Sequence, residues 1–337
     1  MSFRTSFVGI WAKASSSLRK KTGDAAHYRD TARVAARAAK LLRALPEGDR
    51  MRETSLRLRD GRRVGYVAYG AAEGLPVLWC HGGPGSRLEP AGLADAAQHA
   101  GLQLVGIDRP GYGLSSLRPH RSIADWVPDA LAVADAIGAA RFLVVGVSTG
   151  GAYALALAAL APERVLGGVA CCALTDMRFA PARALADPRG CHAIWDAPNR
   201  DAALRVANEH FGEDGSRFFD AAAGMNLPPA DLALLADPTF ASGQAEAFFA
   251  QFANGVQAYV DDRRADGVGW QSFDVRAVAA PFIVLHGGSD SIVPRVNAHH
   301  TAELVRGSAL RILEGHGHLS IIGEVLGPLT ELAGATR

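Results

Sequence analysis

The sequence predicts an α/β fold: a mostly parallel central sheet flanked by helices, with one helical insertion. Three observations lead there. Short, wholly apolar runs recur between residues 53 and about 325, as parallel strands buried on both faces require. Helical stretches separate them, the alternation of a sheet covered on both sides. One long interval, 176–277, breaks that rhythm: it has no convincing buried strand and is rich in alanine and phenylalanine.

The first strands are Thr54–Arg59 and Arg63–Tyr69, joined through Asp60-Gly61, a pair that favours a tight hairpin turn. Val77–Cys80, Leu102–Ile107, Phe142–Val147, Val165–Cys172, Phe282–Leu285 and Leu310–Leu313 follow as buried parallel strands. Ser122–Ile137 and Gly151–Leu160 are expected helices between them. In the insertion, Phe211, Phe218, Phe219, Phe240, Phe248, Phe249 and Phe252 have helix-like surroundings, with a break at Pro228-Pro229. The expected organisation is therefore a basic, partly helical N-terminal extension over 1–52, a core formed by 53–175 and 278–337, and a helical cap over 176–277.

Charge is unevenly placed. Residues 1–45 carry ten Lys/Arg against two Asp, a net +8, and the whole chain is +1, which leaves −7 for the rest. All four lysines lie in that segment, so a global nucleic-acid footprint is excluded. In the same segment Val34, Ala38, Leu41, Leu42 and Leu45 fall on one helical face, opposite Arg33, Arg37, Lys40 and Arg43, until Pro46 stops the pattern. That helix fits a membrane surface or partner, or packing on its own domain or a second subunit; its arginine-rich composition also resembles a transit peptide. No run of eighteen apolar residues predicts a membrane span, and Phe7–Ala12 is too short for a secretory h-region. Four cysteines without a C-x-x-C pair fit free thiols in a reducing, cytoplasmic setting. No residue pattern assigns an oligomeric state.

The stretch Phe142–Gly151, FLVVGVSTGG, carries the chemistry. A phosphate loop needs G-x-x-x-x-G-K-[ST], and no lysine follows residue 40; a dinucleotide fingerprint needs G-x-G-x-x-G. What stands here is G-x-S-x-G between an apolar strand and a small-residue helix. A sharp strand-to-helix turn, with side chains at Gly146 and Gly150 sterically excluded, points the Ser148 hydroxyl out at the carboxyl end of the sheet. A serine needs a base to become nucleophilic. PFIVLHGGSDSIVP places Asp290 just past a strand, and LRILEGHGHLSII places His316 and His318 past the last one. His316 competes with His318 as base, and Asp176 with Asp290 as acid. A His316/His318 metal pair lacks a third ligand at sensible spacing, so neither a metal nor a cofactor is expected. His299-His300 reads as a solvated pair on a surface helix, and His81, Asp108 and Arg109 as residues that orient loops.

Four separated motifs then carry a resemblance: HGGPG (81–85), DRPGYGLSS (108–116), GVSTGG (146–151), and HGGSDSIVP (286–294) with GHGH (315–318). Together they are similar to the α/β-hydrolase superfamily, in its cap-bearing group, over residues 53 to about 325. The resemblance implies Ser148 as nucleophile, His318 as general base and then acid, and Asp290 as the residue orienting the imidazole. It implies an oxyanion hole built from the backbone N–H groups of Thr149 and Gly83; Pro84 has no N–H to offer.

HGGPG also resembles the motif of proline iminopeptidases, which usually carry tryptophan after the nucleophile, where Thr149 stands here. Glu209, Glu213 and Glu246 are candidate amine ligands for that reading, whereas the phenylalanines with Trp195, Met225 and Trp270 resemble an apolar lid and pocket. A serine nucleophile argues against the haloalkane dehalogenases and epoxide hydrolases, which use aspartate. The expected partner is a small, largely apolar ester, thioester or lactone. Peptide or carbon–carbon bond hydrolysis and a non-catalytic binder are the alternatives.

Overall fold

In the computed structural model, residues 54–335 are described, except 216, 218–225, 238–239, 241–246 and 248–249. The expected basic extension, Met225 and Glu246, and Phe218, Phe219, Phe248 and Phe249 lie outside the described residues. Eight strands form one sheet: β1 (Thr54–Arg57), β2 (Arg63–Gly70), β3 (Leu75–Cys80), β4 (Leu102–Ile107), β5 (Phe142–Val147), β6 (Val165–Cys171), β7 (Phe282–Gly287) and β8 (Ala309–Leu313). Their order is β1-β2-β4-β3-β5-β6-β7-β8. β1 pairs with β2, and β2 with β4, antiparallel; every other pairing is parallel. The β1–β2 hairpin turns through Gly61 at φ +88°, a left-handed conformation that favours glycine.

The central strands read as unbroken apolar runs because both faces are covered. All six residues of β5 are buried, and they alternate between two core layers: Phe142 and Val144 face one, Leu143 and Val145 the other. Each fully buried valine or leucine contributes roughly 1.5–3 kcal/mol relative to exposure, an upper estimate because the unfolded chain is itself partly compact.

Three helices on the core precede the insertion: α1 (Ala94–His99), α2 (Val127–Ala136) and α3 (Gly150–Leu160). Every residue of α3 except Leu160 is buried, as its all-apolar sequence requires. α2 begins later than the expected Ser122. Asp125 accepts hydrogen bonds from the Ser122 backbone N–H and hydroxyl, both at 2.8 Å, forming a turn ahead of Pro128 in the first turn of α2.

Between β6 and β7 the described residues form helices and no strand: α4 (Arg200–Phe211), α5 (Pro229–Ala236) and α6 (Gln257–Gly267), with shorter helical turns at Ala180–Ala184 and Ala193–Trp195. The Asn199 side chain caps α4 by accepting from Ala202 N at 2.9 Å, and Gly212 at φ +79° ends it. Ile194, Phe211, Phe252, Val256, Tyr259 and Val260 form a separate small core there. Two helices complete the molecule, α7 (Val296–Leu304) and α8 (Leu326–Ala335). No helix among the described residues is long and apolar enough to cross a membrane.

Candidate active site

β5 ends at Val147, and the chain reverses into α3 through Ser148 at φ +53°, a left-handed conformation that strains a non-glycine residue. The strain is held by neighbours. Ser148 N–H donates to Cys171 O at 2.9 Å, and Ser148 O accepts from Gly151 N at 3.0 Å and Leu174 N at 3.2 Å. A methyl group on Gly146 would run into Gly150 O, and one on Gly150 into Cys80 O, so both positions must stay bare for the turn to close. Ser148 lies at the carboxyl ends of the parallel strands, where ligands bind in open α/β sheets.

The loops after β7 and β8 bring Asp290 and His318 together. His318 Nδ1 donates to Asp290 Oδ2 at 2.8 Å. The other carboxylate oxygen accepts from Ile292 N at 2.9 Å and Val293 N at 2.8 Å. His286, buried beneath, lies 3.6 Å from Oδ2 and is tied to Val293 O at 2.8 Å. Burial opposes ionisation of Asp290, but the adjacent His318 outweighs it and holds the carboxyl below its ordinary value. Burial likewise pushes His318 down, and the Asp290 carboxylate overrules it, raising the imidazole well above an ordinary histidine. With Nδ1–H committed to Asp290, the lone pair of Nε2 is left for a proton.

Neither rival residue reaches this pair. Asp176 forms an ion pair with Arg178, and His316 makes only backbone bonds among the described residues, accepting from Ser289 N at 2.9 Å. Cys172, at φ +41° past β6, places its thiol within 4.8 Å of ligand atoms on Asp290 and His318, a trio able to surround one ion. Burial pushes that thiol well up, so a metal there would first have to displace its proton.

The loop after β3 forms the opposite wall. Arg109 N–H donates to His81 Nε2 at 3.1 Å, which makes Nδ1 the protonated nitrogen, and Nδ1 donates to Gly82 O at 2.7 Å. The Arg109 guanidinium also bonds His81 O, and Gly82 O at 2.8 Å. Gly82 N–H is taken by Glu89 Oε1 at 3.0 Å, while Glu89 Oε2 accepts from Trp79 Nε1 at 2.6 Å. Unlike Gly82 N–H, Gly83 N–H has no acceptor among the described residues. Among the described residues neither Gly83 N–H nor Thr149 N–H has an intramolecular acceptor, and the two residues are neighbours: a methyl on Gly83 would lie 2.6 Å from Thr149 Oγ1.

α6 brings in residues that the sequence reading left unassigned. Asp262 accepts from Arg109, Arg121, Tyr112 OH and Tyr153 OH, the tyrosines at 2.8 Å each. Burial works against its ionisation, yet Arg109 and Arg121 hold its carboxyl well below the usual range. Arg263 next to it bonds the Thr149 hydroxyl and pairs with Asp266 at 2.6 Å. Asp266 is pushed up to about 6 by burial, with Arg263 opposing. From α5, Asp231 accepts from Leu319 N at 3.1 Å, Ser320 N at 2.9 Å and Ser320 Oγ at 2.6 Å, anchoring the His318 loop. The signal for these residues was the charge-dense VDDRRAD run at 260–266 inside an apolar insertion, a pattern that otherwise marks a solvated helix face.

The remaining expectations divide. Asp108 orients loops as expected, accepting from Arg87 N at 2.7 Å and Leu114 N at 3.0 Å. His300 is not a solvated surface histidine: it bonds Thr175 Oγ1 at 2.9 Å and stacks on Phe179. Trp270 packs on Phe273 in the core beneath the sheet rather than in a lid pocket, and Trp195 donates to Asp266 at 2.7 Å. Glu209 and Glu213 are exposed. Cys80, Cys171 and Cys172 are free and buried, and Cys191 is free and half-buried.

Comparison with known proteins agrees with this architecture. The chain is 30% identical over 255 residues, 73% of its length and 81% of the relative's, to a 2-hydroxymuconate semialdehyde hydrolase of Pseudomonas putida. It is 26% identical over 266 residues, 77% of its length and 90% of the relative's, to a non-heme haloperoxidase of Rhodococcus erythropolis. Among solved structures, the esterase RhEst1 from a Rhodococcus species superposes with a TM-score of 0.58 at 20% identity, covering 85% of this chain and 99% of that one, a likeness of fold. A family profile described as the alpha/beta hydrolase fold matches residues 76–325, and the chain belongs to that family.

Proposed function

We propose that the protein is a serine hydrolase that cleaves the carboxylic ester, thioester or lactone bond of a small, largely apolar substrate through an acyl-enzyme on Ser148. The observation that carries this reading is Ser148, held at φ +53° at the sheet's carboxyl end, with N–H groups at Thr149 and Gly83 that have no acceptor among the described residues. In the first half-reaction Ser148 Oγ attacks the substrate carbonyl carbon while His318 Nε2 takes the hydroxyl proton. The tetrahedral oxyanion is held by the N–H groups of Gly83 and Thr149, each worth roughly 3–4 kcal/mol of transition-state stabilisation. Collapse expels the alcohol or thiol, which leaves with the proton from His318. Water, activated by the same imidazole, then releases the acid and restores Ser148. Asp290 keeps Nδ1 protonated and stabilises the imidazolium.

Residues 176–277 act in this reading as a cap, with α5 and α6 holding the His318 and His81 loops. A second reading, hydrolysis of a carbon–carbon bond by the same residues, is favoured by the 30% identity to the P. putida hydrolase. Labelling with a fluorophosphonate tests the nucleophile: the protein should be labelled one to one, and Ser148→Ala should lose the label. No labelling of folded wild-type protein would refute the proposal. Assaying p-nitrophenyl esters of graded chain length, proline-naphthylamide and 2-hydroxymuconate semialdehyde side by side then decides the bond. Esters should be turned over fastest.

A further inference from the structure

Thr149 enters the proposed chemistry through its backbone N–H, yet its side chain is also unusually placed. Arg263, 3% exposed, reaches from α6 to the Thr149 hydroxyl with Nη2, which also forms an ion pair with Asp266 Oδ2 at 2.6 Å. Its Nη1 points at Cys191 Sγ, 3.7 Å away, and its carbon lies over the Tyr259 ring at 5.1 Å, so the guanidinium is held on several sides. A guanidinium only donates hydrogen bonds. Thr149 Oγ1 is therefore the acceptor in this contact, and its own O–H proton must go elsewhere. Among the described residues no acceptor receives it.

The direction open to that proton is set by the neighbours. A methyl on Gly83 would lie 2.6 Å from Thr149 Oγ1 and 3.1 Å from Arg263 Nη2, so hydroxyl and guanidinium both border the backbone of Gly83. The N–H groups of Gly83 and Thr149, both without an acceptor among the described residues, belong to these two neighbouring residues. We propose that the Thr149 hydroxyl is a third oxyanion donor, catalytic alongside the two backbone N–H groups, and that Arg263 is the positioning residue that turns its proton toward the substrate oxygen. A hydroxyl that accepts from a cation is a stronger donor to an anion, and it meets the oxyanion without transferring its proton. The inference rests on the acyl-transfer reading above.

The test compares Thr149→Val, which keeps shape and backbone N–H but loses the hydroxyl, with Thr149→Ser and Arg263→Met. Two quantities are read: kcat and KM on the best p-nitrophenyl ester, and inhibition by the matching trifluoromethyl ketone, which forms an oxyanion adduct on a serine. Thr149→Val should lower kcat about a hundredfold, the loss typical of one oxyanion donor. KM should stay within about threefold, and ketone affinity should fall with kcat. Thr149→Ser should recover at least about tenfold of both losses. Arg263→Met should lower kcat, and the double variant Arg263→Met/Thr149→Val should be no slower than Thr149→Val alone.

Wild-type kcat and ketone affinity in Thr149→Val would overturn the proposal. So would a loss of kcat with unchanged ketone affinity, or additive losses in the double variant. Thr149→Ala serves as a second hydroxyl deletion if the valine variant melts below the assay temperature. Fluorophosphonate labelling at Ser148 is read in every variant. A labelled but full-speed Thr149→Val rejects the third donor and leaves the acyl-enzyme standing, whereas absence of label in the wild type rejects the acyl-enzyme itself.

Discussion

Replacing Asp262 with asparagine removes one negative charge from the point where α6 meets the loop after β4 and α3. Arg109 and Arg121, whose side chains are fully buried, both pair with that carboxylate. Tyr112 and Tyr153 donate their hydroxyls to it as well. Breaking a buried ion pair on one side leaves the partner charge uncompensated and costs about 3–5 kcal/mol. Asparagine keeps one acceptor oxygen, which sets the expectation near the lower end, about 3 kcal/mol, or a melting point lower by roughly 4–5 °C.

Urea unfolding followed by tryptophan fluorescence measures this, with Asp196→Asn as the reference. Asp196 pairs with Arg183 at the surface, a type of bridge worth about 1 kcal/mol or less. The pH dependence has a definite sign. A carboxyl held below its unfolded value contributes stability that is fully present above that value, about 4, and lost as pH falls through the folded value. The gap between Asp262→Asn and wild type should therefore be constant from about pH 5 to 8 and narrow progressively below about pH 4. A gap under about 1 kcal/mol at pH 7, or one equal to that of Asp196→Asn, refutes the role given to this carboxylate.

Two further outcomes follow from the site. Because Asp290 raises His318, and the proposed base must be neutral, kcat/KM should rise with pH to a midpoint above roughly 6.5. Asp290→Asn should move that midpoint down, and a wild-type midpoint below about 6 contradicts the assignment. Asp231→Ala strips the Leu319 and Ser320 donors of their acceptor, costing about 1–3 kcal/mol, and should slow fluorophosphonate labelling of Ser148 in protein that is still folded at the assay temperature. Unchanged labelling would show that the His318 loop does not need α5.

The sheet was legible because its strands are buried on both faces, so β3 to β7 had to be apolar along nearly their whole length. The turn at Ser148 was legible because sterics leave only glycine at 146 and 150. The approach of Asp290 and His318 was expected from their chain order at strand ends. What stayed hidden were polar contacts between positions far apart in sequence. Asp262 meets Tyr112 across 150 residues and Arg121 across 141, and nothing local in either segment announces the other. An aspartate on a helix reads as solvated unless its partner is known, which is why Asp231 and Asp262 passed unnoticed. His300 failed for the same reason, since its partners Thr175 and Phe179 come from the loop after β6.

The bonds from Asp262 to Arg109, Arg121, Tyr112 and Tyr153 tie α6 to the loop after β4 and to α3, while Tyr259 and Val260 tie it to the rest of the segment between β6 and β7. For recombination of this scaffold, two seams are therefore unequal. A foreign segment spliced in ahead of Gln257 leaves Asp262 in place but removes Asp231, so it must bring its own acceptor for Leu319 and Ser320 and apolar residues to meet Tyr259 and Val260. A splice carried through to Pro281 removes the anchor that keeps Arg109 on the His81 and Gly82 carbonyls. A transplanted segment is thus expected to leave the proposed catalytic residues in place only if the donor ends where α6 begins and carries an acceptor at the position of Asp231.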